Sequence, residues 1–394
     1  MAEYELRFSV TPAADTGSFK LLELPAELSR LVESSVNATA LPKFTIKGAS
    51  DGDAVLCTAD KTYTVRSVVL SNSVLIVTPD HAPADDEDDE PVQEVFIRDQ
   101  LNEVIELIPS VPKLSKLGPL LRGMEYDEGH EDEDMVEDDD HDEGSSKKKP
   151  AKFTYHDARA TIQASDAELD KGLRDRRVLI LKGELRPIAP SHLATILELL
   201  LTLLVSLSLS DASAPAEPLI YALEHEHDIR RDVARQVMAW FGRFSGEGPA
   251  QLWAMDDIAV IREVGLGILR AYRDEPTPEG ALLEQWRRAV GDKFEATVAL
   301  NLLSGNFLTS MDTLATPPMP QVTYYSASAL PIEPGARFAE LFVARARWRA
   351  SDIAPFLADI AVDSKERDKL LLKHARAVTD KDGVWYTARA KYGG

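Results

Sequence analysis

Four cationic side chains near the end of the sequence share one face of a predicted helix. With about 100° of rotation per residue, they fall within an arc of about 80°, and they are Lys365, Lys369, Lys373 and Arg376. Leu371, Ala375 and Val378 lie roughly opposite. A helix that is apolar on one side and cationic on the other suits docking against the phosphates of DNA. It carries no Asn or Gln for bidentate readout of adenine, so binding through the backbone, with strong salt dependence, is expected.

Further cations flank this helix and extend the predicted DNA-binding set. Arg345 and Arg347 precede it, and Arg389 and Lys391 follow on a predicted final strand or wing. The alternative is an ordinary solvated helix face, because Lys and Arg are common on any exposed helix. Both interpretations stay open on the sequence alone.

The elements that must position these cations follow the order of a winged helix. One helix opens at Pro334, a second covers residues 352–360 after Ser351, and a third covers 365–378 after Ser364. Asp382 and Gly383 mark a turn, and residues 384–389 form a final strand. Three helices followed by a wing are a variant of the helix-turn-helix.

The sequence lacks the signature of a nucleotide-binding phosphate loop and the cysteines of a zinc site. It contains no Gly-x-x-x-x-Gly-Lys-Ser/Thr segment. His225 and His227 stand two residues apart, without the i, i+4 spacing that aims two ligands from one helix. Cys57 is the sole cysteine, which indicates a reducing compartment. We therefore predict a protein that is not an enzyme and needs no cofactor or metal.

The formal net charge of -22 is concentrated in two acidic runs. Residues 80–90 hold seven acids and residues 125–143 hold thirteen, so the remainder carries about -2. Dense acidic residues with few apolar ones predict a disordered linker, assigned to residues 113–152. A histone-binding acidic tract is the alternative interpretation of this segment. The three lysines 147–149 form a short basic run of the kind found in nuclear-import signals.

The rest of the chain predicts an α+β multidomain fold. Short β-branched runs separated by turns, one of them at residues 71–73, predict a β-rich, barrel-like domain over residues 1–112, whose exposed strand edges a partner would complete. The exception is residues 19–31, whose leucines predict a short helix interrupted by Pro25. A self-contained β domain is the alternative.

Helical periodicity follows, and we divide it into winged-helix domains at 153–213, 214–315 and 316–394. Ser165 and Glu168 predict a capping box, and Leu282, Trp286 and Val290 lie on one face of a predicted helix. The apolar run 199–209 is too short to span a membrane and predicts a buried helix, and no secretory signal is visible.

Two separated groups of segments resemble one protein family. The first group covers residues 21–28 (LLELPAEL), 44–48 (FTIKG) and 54–63 (AVLCTADKTY). The second covers residues 330–331 (LP), 337–342 (RFAELF), 347–348 (RW), 352–356 (DIAPF) and 372–376 (LKHAR). Together they resemble the sister chromatid cohesion (defective-in-cohesion) subunit family of an alternative replication factor C clamp loader.

The resemblance implies specific partners. It implies that the N-terminal domain joins two chromosome-transmission-fidelity subunits, the large ATPase and a very small protein, in a composite triple barrel. It also implies that three winged-helix domains contact the catalytic subunit of DNA polymerase epsilon and bind single- and double-stranded DNA. The complex would act on the sliding clamp at replication forks in the nucleus, and no membrane is expected among its partners. An acidic-tract histone chaperone and a winged-helix scaffold that binds only protein are the alternatives.

Overall fold

The computed structural model describes residues 4–8, 19–35, 42–48, 52–79, 93–127, 152–381 and 383–389. The chain is α+β, as expected. Its contacts divide it into unit 1, Met1–Pro112 with Gln163–Glu168, and unit 2, Lys113–Ile162 with Leu169–Gly394. The acidic run 80–90 and most of the run 125–143 lie outside the described residues.

Unit 1 is built on one open sheet of six strands. These are β1 (Tyr4–Phe8), β2 (Leu21–Glu23), β3 (Thr45–Lys47), β4 (Val55–Cys57), β5 (Thr62–Pro79) and β6 (Gln93–Pro109). The strand order is β1-β6-β5-β4-β3, and β2 also pairs with β6. No sheet of the described residues closes into a barrel, so the predicted barrel-like domain is an open sheet in this chain. Among the described residues, no further strand pairs with the edge strands at either end of the sheet.

The structure differs from two predictions for unit 1, a turn and a helix. The predicted turn at 71–73 lies inside the continuous strand β5, where the register with β6 shifts between Val69 and Val74. β-branched runs on both sides and the long partner β6 favour a bulge over a turn. The predicted helix over residues 19–31 is instead strand β2 followed by helix α1 (Ala26–Ser35). The helix begins after Pro25, whose fixed φ suits a helix start.

The connected core of unit 1 is small. It contains Leu28, Leu56, Tyr63 and Leu107, with Leu24 and Val65 packed against them. The Tyr63 hydroxyl donates to Glu27 Oε1 at 2.6 Å, and Lys61 pairs with the same carboxylate. Lys61 and Tyr63 together hold the pKa of Glu27 below its ordinary value. Among the described residues, this cluster is small for a sheet whose two longest strands exceed fifteen residues.

Residues 163–168 return to unit 1 although they are distant in sequence. The Lys47 ammonium donates to Ala164 O at 2.6 Å, and Gln163 Nε2 donates to Asp53 O at 2.5 Å. The capping box predicted from Ser165 and Glu168 is confirmed, since each backbone N–H donates to the other side chain. Unit 1 is therefore not complete at residue 112.

Replacing Thr62 with valine is expected to destabilise unit 1 by about 1–3 kcal/mol. The buried Thr62 hydroxyl donates to Glu168 Oε2 at 2.5 Å and accepts from the Ser165 N–H at 2.9 Å. Urea unfolding with hydrogen exchange resolved to unit 1 measures the change. Thr64→Val, at a half-buried position of the same strand, is the matched control. Equal effects of the two variants would contradict the role given to the Thr62 hydroxyl.

Unit 2 combines helices with small antiparallel sheets. The helices are α2 (Leu117–Leu120), α3 (Tyr155–Thr161), α4 (Asp166–Asp175), which begins in unit 1, α5 (Pro190–Ser206), α6 (Ala216–Glu226), α7 (Arg231–Trp240), α8 (Asp257–Leu269), α9 (Glu279–Val290), α10 (Pro334–Ala344), α11 (Ala350–Ile353) and α12 (Ser364–His374). The strands are β7 (Val178–Leu181), β8 (Glu184–Pro187), β9 (Ala214–Pro215), β10 (Gly242–Ser245), β11 (Leu252–Met255), β12 (Thr277–Pro278), β13 (Phe307–Asp312), β14 (Met319–Tyr324), β15 (Arg347–Arg349), β16 (Ala375–Asp380) and β17 (Gly383–Ala388).

The elements of unit 2 repeat in order. Helices α3 and α4 lead into the two-stranded hairpin β7–β8. Three later blocks each run helix, short strand, helical segments and two strands, and their sheets have the orders β10-β11-β9, β12-β14-β13 and β15-β17-β16. We call the last of these, residues 334–389, the C-terminal block. Its core contains Phe338, Leu341, Trp348 and Phe356.

Two features of unit 2 bear on the predicted boundaries. The predicted linker 113–152 starts too early, because Leu117, Leu121 and Tyr126 are buried. The apolar run 199–209 lies mostly in helix α5, which buries Leu200, Leu203 and Leu204 in one core with α6 and α7 but leaves Val205 81% exposed. That core crosses the boundary placed at residue 213. Within the described residues no helix is long and apolar enough to span a membrane.

Candidate nucleic-acid and partner interfaces

Helix α12 exposes the three predicted lysines along one face. Lys365, Lys369 and Lys373 are all exposed and form no ion pair with any described residue. Their i, i+4, i+8 spacing extends over about 12 Å of helix. The helix is capped by Asp363, which accepts from the Glu366 N–H at 2.8 Å, rather than by the predicted Ser364. We call Lys365, Lys369 and Lys373 the lysine stripe.

Arg376 does not belong to the lysine stripe, because α12 ends at His374 rather than at residue 378. Ala375–Asp380 is strand β16, and Arg376 lies opposite Thr387 of β17. Leu371 is buried as predicted, but Val378 is partly exposed on the strand. The hairpin formed with β17 competes for these residues and supplies their backbone hydrogen bonds, so the helical periodicity stops.

Arg389 caps the carboxyl end of α12. Its Nη1 donates to Leu372 O at 2.7 Å and to Lys373 O at 3.2 Å. A cation at this end is favourable because the last carbonyls of a helix carry partial negative charge. The guanidinium therefore lies beside the last lysine of the stripe. Lys391, predicted to extend the same surface, lies outside the described residues.

The two arginines that precede the helix lie at different places. Arg345 Nη2 donates to Thr309 O at 2.5 Å, and Nη1 lies 3.5 Å from Asp352 Oδ2. Its guanidinium thus joins the end of α10 to strand β13. Arg347 is exposed on β15 and pairs with Asp380. The structure therefore brings Arg347 and Arg376 onto the small C-terminal sheet, apart from the lysine stripe.

An acid near the stripe modifies its charge. Glu333 caps helix α10 by accepting from the Ala336 N–H at 2.5 Å and the Gly335 N–H at 2.9 Å. These backbone hydrogen bonds, with the nearby charges of His374 and Lys373, lower the pKa of Glu333. Glu333 is consequently ionised at neutral pH and offsets part of the positive charge near Lys373.

Arg349 and Trp385 lie on the C-terminal sheet, and neither was predicted from the sequence as a site residue. The guanidinium carbons of Arg347 and Arg349 lie 4.3 and 4.9 Å from the centre of the Trp385 ring. Trp385 Nε1 donates to Asp380 Oδ1 at 2.9 Å. A signal for this cluster was present, since residues 347 and 349 of a strand share a face.

The described part of unit 1 exposes twelve large apolar side chains. Phe8 on the edge strand β1 is 75% exposed, Ile46 on the opposite edge strand β3 is 72% exposed, and Val69 on β5 is 81% exposed. Among the described residues these side chains are Leu6, Phe8, Phe19, Leu21, Leu22, Leu31, Phe44, Ile46, Val69, Leu75, Val77 and Ile108. A folded unit that leaves apolar side chains exposed on its sheet and both its edges presents a surface suited to another protein.

The histidine pair shows no metal geometry. His225 stacks on the ring of Tyr221 with 4.1 Å between ring centres, and its Nδ1 lies 3.1 Å from Tyr221 O. Among the described residues, no group of three or more His, Cys, Asp or Glu side chains is arranged to hold a metal ion.

Comparison with known proteins places this architecture in a family. The model of the family "Sister chromatid cohesion protein Dcc1" matches residues 19–357. The sister chromatid cohesion protein DCC1 of Xenopus laevis is 26% identical over 368 residues, covering 92% of this chain and 87% of that protein. The human protein of that name is 25% identical over 381 residues, covering 95% and 90%. The Saccharomyces cerevisiae protein is 23% identical over 147 residues, 37% of each chain.

The matching family and relatives are sister chromatid cohesion proteins. This chain belongs to the Dcc1 family, as its resemblance indicated. The family match ends at residue 357, before helix α12 and the hairpin β16–β17.

Proposed function

We propose that this chain is a non-catalytic adaptor subunit of an alternative replication factor C clamp loader. Unit 1 docks on the loader, and unit 2 holds DNA polymerase epsilon and DNA. The complex loads or unloads the sliding clamp at replication forks in the nucleus and thereby supports DNA replication and sister chromatid cohesion. The observation that carries the proposal is the open apolar sheet of unit 1.

The occupant of that sheet is a pair of β-rich segments from the chromosome-transmission-fidelity subunits, the large ATPase and the very small protein. Within the described part of unit 1 no strand pairs with either end of the sheet, and added strands would satisfy the backbone groups there. The apolar side chains on β1, β2 and β3 would then become buried and would add to the small cluster of Leu28, Leu56, Tyr63 and Leu107 in the described part of unit 1. Partner strands that close the sheet give the composite barrel.

The polymerase and DNA are assigned to unit 2. Its blocks match the winged-helix order, in which a helix, a short strand, helical segments and two antiparallel strands follow one another. We propose winged-helix domains here, with the catalytic subunit of DNA polymerase epsilon as their protein partner. The lysine stripe of α12 supplies backbone contacts to DNA, and ATP hydrolysis is assigned to the large ATPase partner.

Changing Phe8 or Ile46 to aspartate is expected to weaken copurification of the full chain with the two loader subunits at least about tenfold. Both side chains are exposed, so the variants should fold, but a charge would be buried without a partner in the assembled barrel. Val343→Asp, at a 77% exposed position in unit 2, is the matched control. Copurification of all three variants at the unmodified level would contradict docking through unit 1.

A further inference from the structure

We propose that the outer face of the C-terminal sheet is a stacking platform for unpaired bases of a single-stranded nucleic acid, separate from the lysine stripe. The platform consists of Arg347, Arg349, Arg376 and Trp385. This inference rests on the proposed DNA binding by unit 2, and it adds a second surface that distinguishes single strands from duplexes.

The strand register places these four side chains on one face. Arg347 and Arg376 flank Thr387, and Arg349 flanks Trp385 in the adjacent row. Directly opposite residues and residues two apart in a strand share a face of the sheet. The alternate residues Trp348 and Ala375 are buried on the inner face. The platform therefore faces away from the core of the C-terminal block.

The indole of Trp385 is held in a fixed orientation. Guanidinium groups of Arg347 and Arg349 lie over its ring at 4.3 and 4.9 Å from the ring centre. Asp380 accepts from the indole N–H at 2.9 Å and also pairs with Arg347. An ordered set of planar groups is what a base needs, because bases stack both on aromatic rings and on guanidinium planes.

The charge of the face suits a phosphate backbone. Among the described residues it contains three arginines against the carboxylate of Asp380, and Arg376 is exposed without an ion pair to any described residue. Strands β15 and β16 flank β17, so Arg347 and Arg376 extend from backbones about 10 Å apart. A base stacked on the arginines and the indole would thus have Arg376 nearby for its phosphates. Duplex DNA hides its base faces by stacking and offers the platform phosphates alone.

The test compares binding of the full chain to fluorescent oligothymidylate, an abasic oligonucleotide of equal length, and a duplex. Trp385→Leu is expected to weaken oligothymidylate binding about tenfold, with duplex and abasic binding changed less than about twofold. Trp385→Phe keeps a ring and should retain most of the affinity. Urea unfolding midpoints of both variants, measured beside the unmodified chain, exclude a folding defect.

Several outcomes would overturn the platform. These are an equal loss of duplex and single-strand binding in Trp385→Leu, no loss at all, or abasic binding as tight as oligothymidylate binding. Competition by polyglutamate that depends on Trp385 to the same degree would instead indicate an acidic peptide. If the unmodified chain binds neither single strand nor duplex, the proposed DNA binding fails as well. If the unmodified chain binds DNA but Trp385→Leu does not selectively weaken single-strand binding, only the stacking platform is contradicted.

Discussion

Replacing Arg337 with methionine is expected to lower the free energy of unfolding by about 3–5 kcal/mol. The Arg337 side chain is fully buried. Its Nε donates to Pro331 O at 2.6 Å, and Nη1 donates to Phe356 O at 2.8 Å. The guanidinium also pairs with Asp359. The Arg337 side chain thus connects helix α10 by hydrogen bonds to the segments before and after it.

The energetic argument depends on what the substitution leaves behind. Replacing both members of a buried ion pair with apolar groups is often neutral. Here the carbonyls of Phe356, Pro331 and Leu330 would remain without their donor, and each buried orphaned acceptor costs about 1–3 kcal/mol. Methionine matches the stem of arginine but donates no hydrogen bond. The loss therefore exceeds any gain from removing the charge.

Urea unfolding followed by tryptophan fluorescence measures this effect, because Trp348 is buried in the same block. The matched control is Arg367→Met, which removes an exposed pair with Asp368 and should cost less than about 0.5 kcal/mol. One hydrogen bond contributes about 1 kcal/mol to stability. If the free energy of unfolding of Arg337→Met lies within that amount of the unmodified protein, the stabilising role of the buried guanidinium is contradicted.

Reversing the lysine stripe is expected to weaken DNA binding on the order of 100-fold at low salt. The variant carries Lys365→Glu, Lys369→Glu and Lys373→Glu. Three lost phosphate contacts should also reduce the slope of log affinity against log salt by about 3. Both single strands and duplexes should be affected, because phosphates are common to both. Fluorescence anisotropy over a salt series measures affinity and slope together.

The control for the lysine stripe has the same change in net charge. Lys116, Lys171 and Lys182 are exposed elsewhere in unit 2, and none forms an ion pair with a described residue. Their joint reversal to glutamate should leave the salt slope nearly unchanged. Similar losses in the two triple variants would show a dependence on total charge, and the α12 surface would then have no special role.

Local patterns in the sequence predicted many of the elements. The stripe of Leu282, Trp286 and Val290 forms a buried face of α9, and the capping box of Ser165 and Glu168 is present. The apolar run 199–209 forms the end of helix α5 and buries Leu200, Leu203 and Leu204. Each of these depends on neighbours within about one or two helical turns, where amphipathic spacing and capping chemistry decide the structure.

The predictions that failed involve contacts between distant residues. Residues 163–168 join unit 1 through Lys47 and Thr62, more than one hundred positions away, and no local pattern marks that return. Helix α12 ends early because β17 pairs with the residues that follow it. In the candidate site, the lysine stripe needed only helical spacing. The placement of Arg376 and Trp385 needed the strand register, which the sequence leaves open.

The most direct test of the adaptor role uses the full chain, co-expressed with the C-terminal tail of the clamp-loader ATPase and the very small subunit. Size-exclusion chromatography with light scattering then measures the mass of the assembly. The open apolar sheet of unit 1 predicts a stable 1:1:1 complex in which hydrogen exchange at β1, β2 and β3 is slowed. A well-folded chain that elutes alone, with unchanged exchange at these strands, would contradict docking on the loader.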